Sequence, residues 1–488
     1  MTNKNVLIPL SLLLPLLLMC FSPLHAQEQH SENMTLKILL EQVLDYYPSL
    51  ETAALQVEKA RQTSALIESR LGWQVAGQGG ISKDMSLFGS PVTSLNIGGQ
   101  MTRQLTDGDS MAVVAMISRD DADQTLPTLP NPALNSSIEL QYRKPLRQGK
   151  ENTGYQADIK DAQALVKRLT AAQQLIFDQL AEQMIELYAG TLATQQRIET
   201  IKATIAHTQR LHEFIIGRVN FGIAEDKDRL QTDAQLNSLK AQLEVLELIK
   251  TRQTININRL LGKSWQSPLT LVRNERIPTS DNLKFVIKDV NTHSPALQIN
   301  AAEIALAEIQ IERQQDINQD KFDLVFSVGH RGLNGDNSSG SIHNNELVGG
   351  VQVEYGRALD LSANDTALYQ ARLERDIALQ NKKEITRDLE YKVATVIAEL
   401  RGIAGAIKAY RISVASEHDK LDEAVKRYRT GRITIDQVIQ FENQTATSEL
   451  ELALQQIEYQ RTLDRLDLLR GVLLNTVKLP AQNHTHEH

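Results

Sequence analysis

Cysteine, proline and aromatic residues are all scarce in this sequence. The single cysteine, Cys20, excludes an intrachain disulfide framework and a zinc site built from several cysteines. Aromatic residues make up only 5% of the chain, whereas Ala, Leu and Gln are frequent, and this composition favours long helices over sandwiches. The formal net charge of −8 shows no basic excess, so no nucleic-acid partner is expected.

Long apolar runs are also absent beyond the N-terminus. Lys4 precedes an apolar run over 6–21 and then Ser22-Pro-Leu-His-Ala26, which predicts a signal peptide over 1–26 and an exported protein. The alternative is a lipoprotein acylated at Cys20, although Met19 is bulky where a small residue is required. No later stretch reaches the roughly 18 apolar residues of a spanning helix, so any membrane insertion must use strands.

Proline is missing from two long stretches, 146–267 and 296–479, which are therefore free to be helical. A helix from about 149 to 218 would be roughly 100 Å long. In the second stretch apolar residues repeat at alternating intervals of four and three, a heptad seam that needs partner helices along its length. Its members are Leu389, Val393, Val396, Leu400, Ile403, Ile407, Tyr410 and Val414.

Alternating apolar and polar residues, typical of strands, occur in two blocks. In 321–356 the alternation predicts a hairpin with a polar loop from His330 to Asn345. In 72–144 it occurs in four segments, the middle two joined by an Asp107-Gly108 turn. In an exported protein this pattern is typical of a membrane-spanning barrel, and a soluble sheet with one buried face is the alternative.

The chain is an internal duplication. Gly222 and Gly431 are 209 residues apart, as are Gly262 and Gly471, and each pair lies in a similar local sequence. Pro48 and Pro295 each head an Ala-rich helix and are 247 residues apart, 38 more than the two glycines of either pair. This difference is about the size of one hairpin. The predicted order of elements in each repeat is therefore a helix, strands, a very long helix, a glycine turn and a second helix.

The predicted organisation is mainly α, with strands inserted in both repeats. The predicted segments are a signal peptide (1–26), an N-terminal segment with the first helix (27–71), a first β block (72–145), a long helical hairpin (146–262), an inter-repeat linker (263–294), a helix (295–320), a second β hairpin (321–359), a second long helical hairpin (360–475) and a His-containing tail (476–488).

The sequence resembles the TolC-type outer-membrane channel (outer membrane efflux protein) family over essentially the whole mature chain. The resemblance is carried by Tyr142-Arg-Lys-Pro-Leu-Arg-Gln-Gly149, by the two glycine turns and by the helices that end at Gly262 and Gly471. Tyr428-Arg-Thr-Gly431 followed by Val438-Ile439, and Phe221-Gly222 followed by Asp228 and Leu230, look like the helix-turn-helix tips of the family.

The resemblance implies a homotrimer whose strands close one β-barrel in the outer membrane of a Gram-negative bacterium. Its long coiled-coil helices would form an α-barrel through the periplasm. Such a protein is the passive exit duct of a tripartite efflux or type I secretion system, with a periplasmic adaptor and an inner-membrane transporter of RND or ABC type as partners. It implies neither an enzyme nor a cofactor.

The sequence departs from the family pattern in two places. Family members usually supply four strands per protomer, whereas the alternation here allows six, and the extra pair would be either an extracellular hairpin or a wider barrel. Many relatives also place an Asp six residues after the turn glycine. Asp228 fits this position in the first repeat, but Gln437 occupies it in the second, with Asp436 one residue earlier.

The candidate functional residues lie at the two turns. Gly222 and Gly431 are expected to be left-handed, and the family implies that they present Phe221, Ile223 and Thr430 to the adaptor. Asp228 and Asp436 would either form an acidic ring or lie solvated on an outer face. Arg429 and Arg432 would lock a closed tip through ion pairs contributing about 0–1 kcal/mol each.

The remaining candidates are histidines. His484, His486 and His488 form a tail compatible with metal binding, with a disordered terminus as the alternative. His207 and His212 are five residues apart, a spacing that does not put two imidazoles on one helix face as in zinc proteases, and both are predicted to be surface residues. No catalytic constellation can be assembled. The alternative function is a periplasmic or surface coiled-coil spacer, and the substrate, whether drug, metal or polypeptide, is not indicated.

Overall fold

The structure is a computed structural model that describes residues 33–85, 90–124, 126–223, 225–273 and 283–473. These residues form eight α-helices, eight strands and a short 3-10 turn. The predicted signal peptide and the C-terminal tail lie outside them. The mainly helical fold class with inserted strands is confirmed.

The first repeat begins with two helices, α1 (Leu36–Tyr46) and α2 (Pro48–Ser69), where the sequence predicts one. They separate at Tyr47, whose extended backbone is the conformation that a following proline favours. Four strands follow: β2 (Gln74–Met85), β3 (Pro91–Gln104), β4 (Ser110–Ala122) and β5 (Ala133–Pro145). The chain then enters α3 (Thr153–Asn220), turns, and returns in α4 (Asp226–Leu260).

The second repeat has the same order with fewer strands. Helix α6 (Pro295–Ile317) leads to β7 (Lys321–Asn337) and β8 (Gly340–Gly356), and then to α7 (Ser362–Arg429) and α8 (Ile435–Leu469). Helices α3 and α7 have 68 residues each, and α4 and α8 have 35 each. At 1.5 Å per residue, the two longest helices are about 100 Å long.

The segment predicted as an inter-repeat linker contains structure of its own. Strand β6 (Thr270–Leu271) pairs in parallel with β1 (Asn33–Met34). Helix α5 (Leu283–His293) packs against α7, where Val286 and Val290 meet Val393 and Val396 of the heptad seam. The second repeat therefore covers part of its long seam with this segment.

Strands β2 to β5, β7 and β8 form one antiparallel sheet in the order β2-β3-β4-β5-β7-β8. The predicted polar loop from His330 to Asn345 is wrong, because β7 and β8 stay paired from Lys321↔Gly356 to Asn337↔Gly340. Only Ser338 and Ser339 connect them. Ladder hydrogen bonds join backbone groups, so the polar composition does not prevent the strands from continuing.

The largest buried cluster lies around the middle of α3. Phe177, Met184 and Ile185 of this helix are fully buried against Leu39 and Leu40 of α1, and the ends of α4 and α8 complete the cluster. Elsewhere burial is thin: α7 buries only five of its 68 residues. A helix this long gains little stability from one chain alone, because most helical stability in proteins comes from packing an apolar face.

Candidate functional site

Both long hairpins end in the same backbone turn. Gly222 and Gly431 have φ values of +67° and +72°, the left-handed conformation predicted for them. The N–H of Gly222 donates to the carbonyl of Val219 at 2.9 Å, and the N–H of Gly431 donates to that of Tyr428 at 2.9 Å. The N–H of the residue after each glycine donates to the carbonyl of the residue five positions earlier, again at 2.9 Å. These bonds satisfy carbonyls that the helix end leaves free.

The two turns differ in the side chains that they expose. At the first turn Phe221 is 82% exposed and Ile223 is 64% exposed. At the second turn Thr430 is exposed between basic residues, and its hydroxyl donates to the carbonyl of Arg427 at 2.9 Å. One turn therefore presents an apolar surface and the other a polar, basic one.

Gln437 occupies the place where the family pattern expects an acid, and the structure gives it a role. Its side-chain oxygen accepts from the backbone N–H of Thr434 at 3.2 Å, and the Thr434 side chain accepts from the N–H of Gln437. This capping box fixes the start of α8. The first turn has no such box, and α4 begins instead with Asp226 and Asp228 in its first turn, where carboxylates favour the helix dipole.

The two tips are joined within one chain by a group of side chains that we call the tip cluster: Phe214, Ile215, Arg218, Tyr428, Ile435 and Val438. Ile215 of α3 is fully buried against Ile435 and Val438 at the start of α8. The rings of Phe214 and Tyr428 meet edge to face at 6.3 Å. The Arg218 guanidinium lies 5.8 Å from the first ring centroid and 5.4 Å from the second, within the range of cation–π attraction.

Burial in this cluster raises the pKa of the Tyr428 hydroxyl, and Arg218 opposes the shift. The sequence patterns do not predict the tip cluster. Phe214 and Arg218 are four residues apart on one helix face, but nothing in the periodicity of α3 indicates that their partner is a tyrosine more than 200 residues away.

Among the described residues, the proposed gate residues have no ion-pair partner in their own chain. Arg429, Arg432 and Asp436 are exposed, and within the described ranges no oppositely charged group lies within 4.0 Å of any of them. A lock involving the arginines therefore stays a prediction about contacts between copies. Asp228 is half-buried.

Lys227 lies within electrostatic range of both acidic positions. It forms an ion pair with Glu225 at 3.0 Å, and this hydrogen bond is the main cause of its raised pKa. Asp228 and Asp436 also contribute to the increase, so both carboxylates lie near the same ammonium group. Lys227 partly neutralises any acidic ring at this level, and no sequence pattern singles it out.

The prediction for His212 is wrong. Its Nδ1 is 2.7 Å from the hydroxyl of Thr232, its Nε2 is 3.3 Å from Asp233, and its side chain is only 12% exposed. It lies between α3 and α4 because the antiparallel return brings α4 over this face. His207 is exposed and lies 3.6 Å from Glu442. The described residues contain no group of three potential metal ligands, and the predicted tail histidines lie outside them.

The sheet at the other end of the helices has two chemically different faces. One face is apolar and exposed across all six strands, from 37% for Met101 to 79% for Leu347. Its large members are Val75, Ile81, Leu95, Ile97, Met101, Ile117, Ile138, Leu140, Phe326, Val328, Leu347, Val351 and Val353. An exposed apolar surface of this extent marks an interaction site.

The opposite face is mostly polar and carries ion pairs. Arg143 bridges Asp323 at 2.8 Å and Glu354 at 2.7 Å, and Arg331 reaches Glu139 at 3.5 Å. Other members of this face are Gln78, Ser82, Asn96, Gln100, Ser118 and Asn135. Among the helices that the structure describes, none is both long and apolar enough to cross a membrane.

No family model matches the sequence, and no curated protein resembles it significantly. Solved structures do resemble it over most of its length. The outer-membrane channel OprN aligns with a TM-score of 0.65 at 15% identity, over 89% of each chain. CusC, a transmembrane channel, aligns with a TM-score of 0.62 at 15% identity, over 89% of this chain and 91% of its own.

The outer membrane protein VceC of Vibrio cholerae aligns with a TM-score of 0.61 at 14% identity, over 90% of this chain and 95% of its own. The chain therefore has the fold of these outer-membrane channels, as the resemblance in sequence predicts.

Proposed function

We propose that the protein is the passive exit duct of an export system in the outer membrane. The observation that carries the proposal is the continuous apolar face of the six-stranded sheet, at the end of helices about 100 Å long. The apolar face would contact lipid, and the polar face with its Arg143 ion pairs would line a water-filled lumen. The helices would extend the lumen through the periplasm.

The proposal requires several copies, and we infer a homotrimer. Helix α7 exposes large apolar side chains that its own chain does not cover, including Ile377 (60%), Tyr391 (68%) and Ile412 (71%). These three residues are spaced by multiples of seven, as on one seam of a coiled coil. Helix α4 likewise exposes Val245 and Leu248. Neighbouring copies would bury these stripes and close the tunnel.

The helical tips would meet the rest of the system. A periplasmic adaptor would dock at the turns of Gly222 and Gly431, and an inner-membrane transporter of RND or ABC type would supply the energy. The apolar pair Phe221 and Ile223 supports this role, because both side chains are exposed at a turn that backbone hydrogen bonds tie to the end of α3.

The proposal is tested on the full-length protein in a Gram-negative host. We expect it in the outer-membrane fraction, as a trimer that resists detergent and dissociates on heating, and we expect purified trimers to conduct ions in planar bilayers. A freely soluble monomer would exclude the duct. A periplasmic oligomer without conductance would instead support the coiled-coil spacer.

The gate is a separate prediction. Replacing Arg432 and Asp436 with Ala together should increase single-channel conductance if these exposed side chains form polar contacts between copies at a closed tip. The matched control is Asp388→Asn, an exposed carboxylate on α7 far along the chain from the turn. Equal conductance in both variants would place the gate elsewhere.

A further inference from the structure

The outermost strands of the sheet each have one unpaired edge. Within the described residues β2 pairs only with β3, and β8 pairs only with β7. In lipid the backbone N–H and C=O groups of both edges must find partners, since no water is available there. Open edges are also avoided in soluble proteins, because they pair with other chains.

The register shows that β2 and β3 belong to the same layer as the other strands. Strand β3 pairs with β4 from Val92↔Ala122 to Gln104↔Ser110, and β2 pairs with β3 from Gln74↔Thr102 to Met85↔Pro91. The additional hairpin therefore lies level with the sheet over its whole length. This position decides against the extracellular hairpin, one of the two alternatives that the sequence leaves open.

The directions of the edge strands are compatible with pairing between copies. The six strands are antiparallel to their neighbours throughout, so β2 and β8 run in opposite directions. When a second copy is placed beside the first by rotation about a common axis, its β2 lies antiparallel to the β8 of the first. No proline interrupts either strand, so both edges keep their donors.

The chemistry of the two edges also matches. The apolar face ends in Val75 and Ile81 on β2, exposed by 78% and 77%, and in Val351 and Val353 on β8, exposed by 67% and 57%. The polar face ends in residues such as Gln78 on one edge and Gln352 on the other. Joining the edges would therefore continue the apolar band and the polar lining across the junction.

We propose that β2 of each copy pairs with β8 of the next copy, so that three copies close a barrel of eighteen strands. This inference rests on the proposed trimeric duct. Because barrel diameter grows roughly in proportion to strand number, the barrel would be about half again as wide as one of twelve strands. At a strand spacing of about 4.8 Å and a tilt near 40°, its backbone diameter is about 35 Å.

The pairing is tested by disulfide cross-linking in a Cys20→Ser background. Gln78→Cys on β2 is combined in the same chain with one cysteine on the polar face of β8. The β8 positions, tested one at a time, are Asn344, Glu346, Val348, Gly350, Gln352 and Glu354. Because a disulfide needs Cα atoms about 4.4–6.8 Å apart, we expect one or two neighbouring positions to give covalent dimers and trimers on oxidation.

The matched control replaces Gln78→Cys with Met116→Cys on β4. Met116 lies in the same row of the sheet as Gln78, two strands further in, through Gly98. In an eighteen-stranded barrel it should not cross-link to β8 of another copy. In a twelve-stranded barrel, with β2 and β3 displaced, Met116→Cys would cross-link and Gln78→Cys would not.

That reversed pattern would overturn the inference, and so would the absence of β2–β8 cross-links at all six positions in a protein that is still a detergent-resistant trimer. Failure of the wild-type protein, which keeps Cys20, to form a detergent-resistant trimer would count against the proposed duct instead. The two failures are therefore distinguishable.

Discussion

The turn glycines have different surroundings, and this difference determines what their substitution should cost. Gly222 has φ +67° and nothing within 4 Å of an added Cβ, so Gly222→Ala meets only the strain of the left-handed backbone, about 1–2 kcal/mol. Gly108, in the β3–β4 turn, has φ +90°, and an added Cβ would collide with the carbonyl oxygen of Gly149 and lie 2.8 Å from the nitrogen of Asn152.

We therefore expect Gly108→Ala to lower the temperature of trimer dissociation much more than Gly222→Ala does. The measurement is the loss of the detergent-resistant band with temperature. Gly431→Ala is the control, because its φ of +72° and open surroundings match those of Gly222. Equal effects of Gly108→Ala and Gly222→Ala would show that backbone strain alone determines the cost.

Asp178 on α3 is a half-buried carboxyl whose titration should affect stability. Burial raises its pKa to about 6, a hydrogen bond from Gln174 at 2.9 Å opposes the shift, and Glu182 adds to it. Since the folded state holds the proton more tightly than the unfolded state, this group contributes stability below about pH 4. That contribution is lost as the pH rises through about 6.

Asp178→Asn should remove this loss. At pH 7.5 the variant should unfold at a higher temperature than the wild type, with a gain of up to about 3 kcal/mol per chain for a shift of about two units. At pH 4 the two proteins should unfold together. Thermal unfolding followed by circular dichroism at both pH values checks this, and a constant difference between the proteins would contradict the assignment.

At the residue scale, the turn glycines were predictable and the contacts around them were not. A glycine after a helical run, repeated 209 residues later, indicates a left-handed turn by local sequence alone. The partners of His212, Arg218 and Lys227 depend on which helices meet, and that is set by packing between distant segments. For the same reason the acidic positions could be named while their shared ammonium neighbour could not.

At the scale of elements, periodicity located the long helices well and the strand ends poorly. The helix expected from about 149 to 218 spans Thr153–Asn220. The hairpin of β7 and β8 extends through the Gly- and Asn-rich segment that was predicted as a loop. Turn-forming residues favour loops only on average, and here the paired neighbour strand supplies the hydrogen bonds that keep the segment extended.

The tip cluster connects two elements from different repeats, and Arg218 is its polar centre. Arg218→Ala should loosen the end of α3 from α7, because it removes cation–π contacts with two rings worth about 0.5–1 kcal/mol each. If the tip opens by separating these helices, 1 kcal/mol corresponds to roughly a five-fold higher open fraction. Single-channel recording measures that fraction.

Two substitutions control for charge. Arg218→Lys keeps a cation near the rings and should change the open fraction less. Lys426→Ala removes an exposed cation near the same tip that has no ion-pair partner among the described residues of its own chain. If Lys426→Ala opens the channel as much as Arg218→Ala, the tip cluster does not hold the closed state.

At the scale of the whole molecule, the proposed orientation of the sheet in lipid can be tested with adjacent residues. Leu140 lies on the apolar face between Val113 and Val328, and Gln141 lies on the polar face between Ala112 and Ser327. Leu140→Arg should cost about 2–4 kcal/mol if it faces the bilayer midplane, and it should reduce the folded trimer in the outer membrane.

Gln141→Arg introduces the same side chain one residue away and should leave assembly intact. The readout is the fraction of protein that resists detergent and migrates as a trimer in outer-membrane extracts. Equal loss in both variants would show that the apolar face is not in contact with lipid.

The matching helix lengths have a consequence for how such molecules can vary. The first repeat carries two more strands than the second, yet α3 equals α7 and α4 equals α8 in length. In the proposed duct the width of the barrel and the length of the helical tunnel would therefore vary independently, since a hairpin is added at one end without a change in helix length at the other. Chimeras that exchange only the strand-bearing ends between such ducts should consequently keep the transport partners of the parent that supplied the long helices.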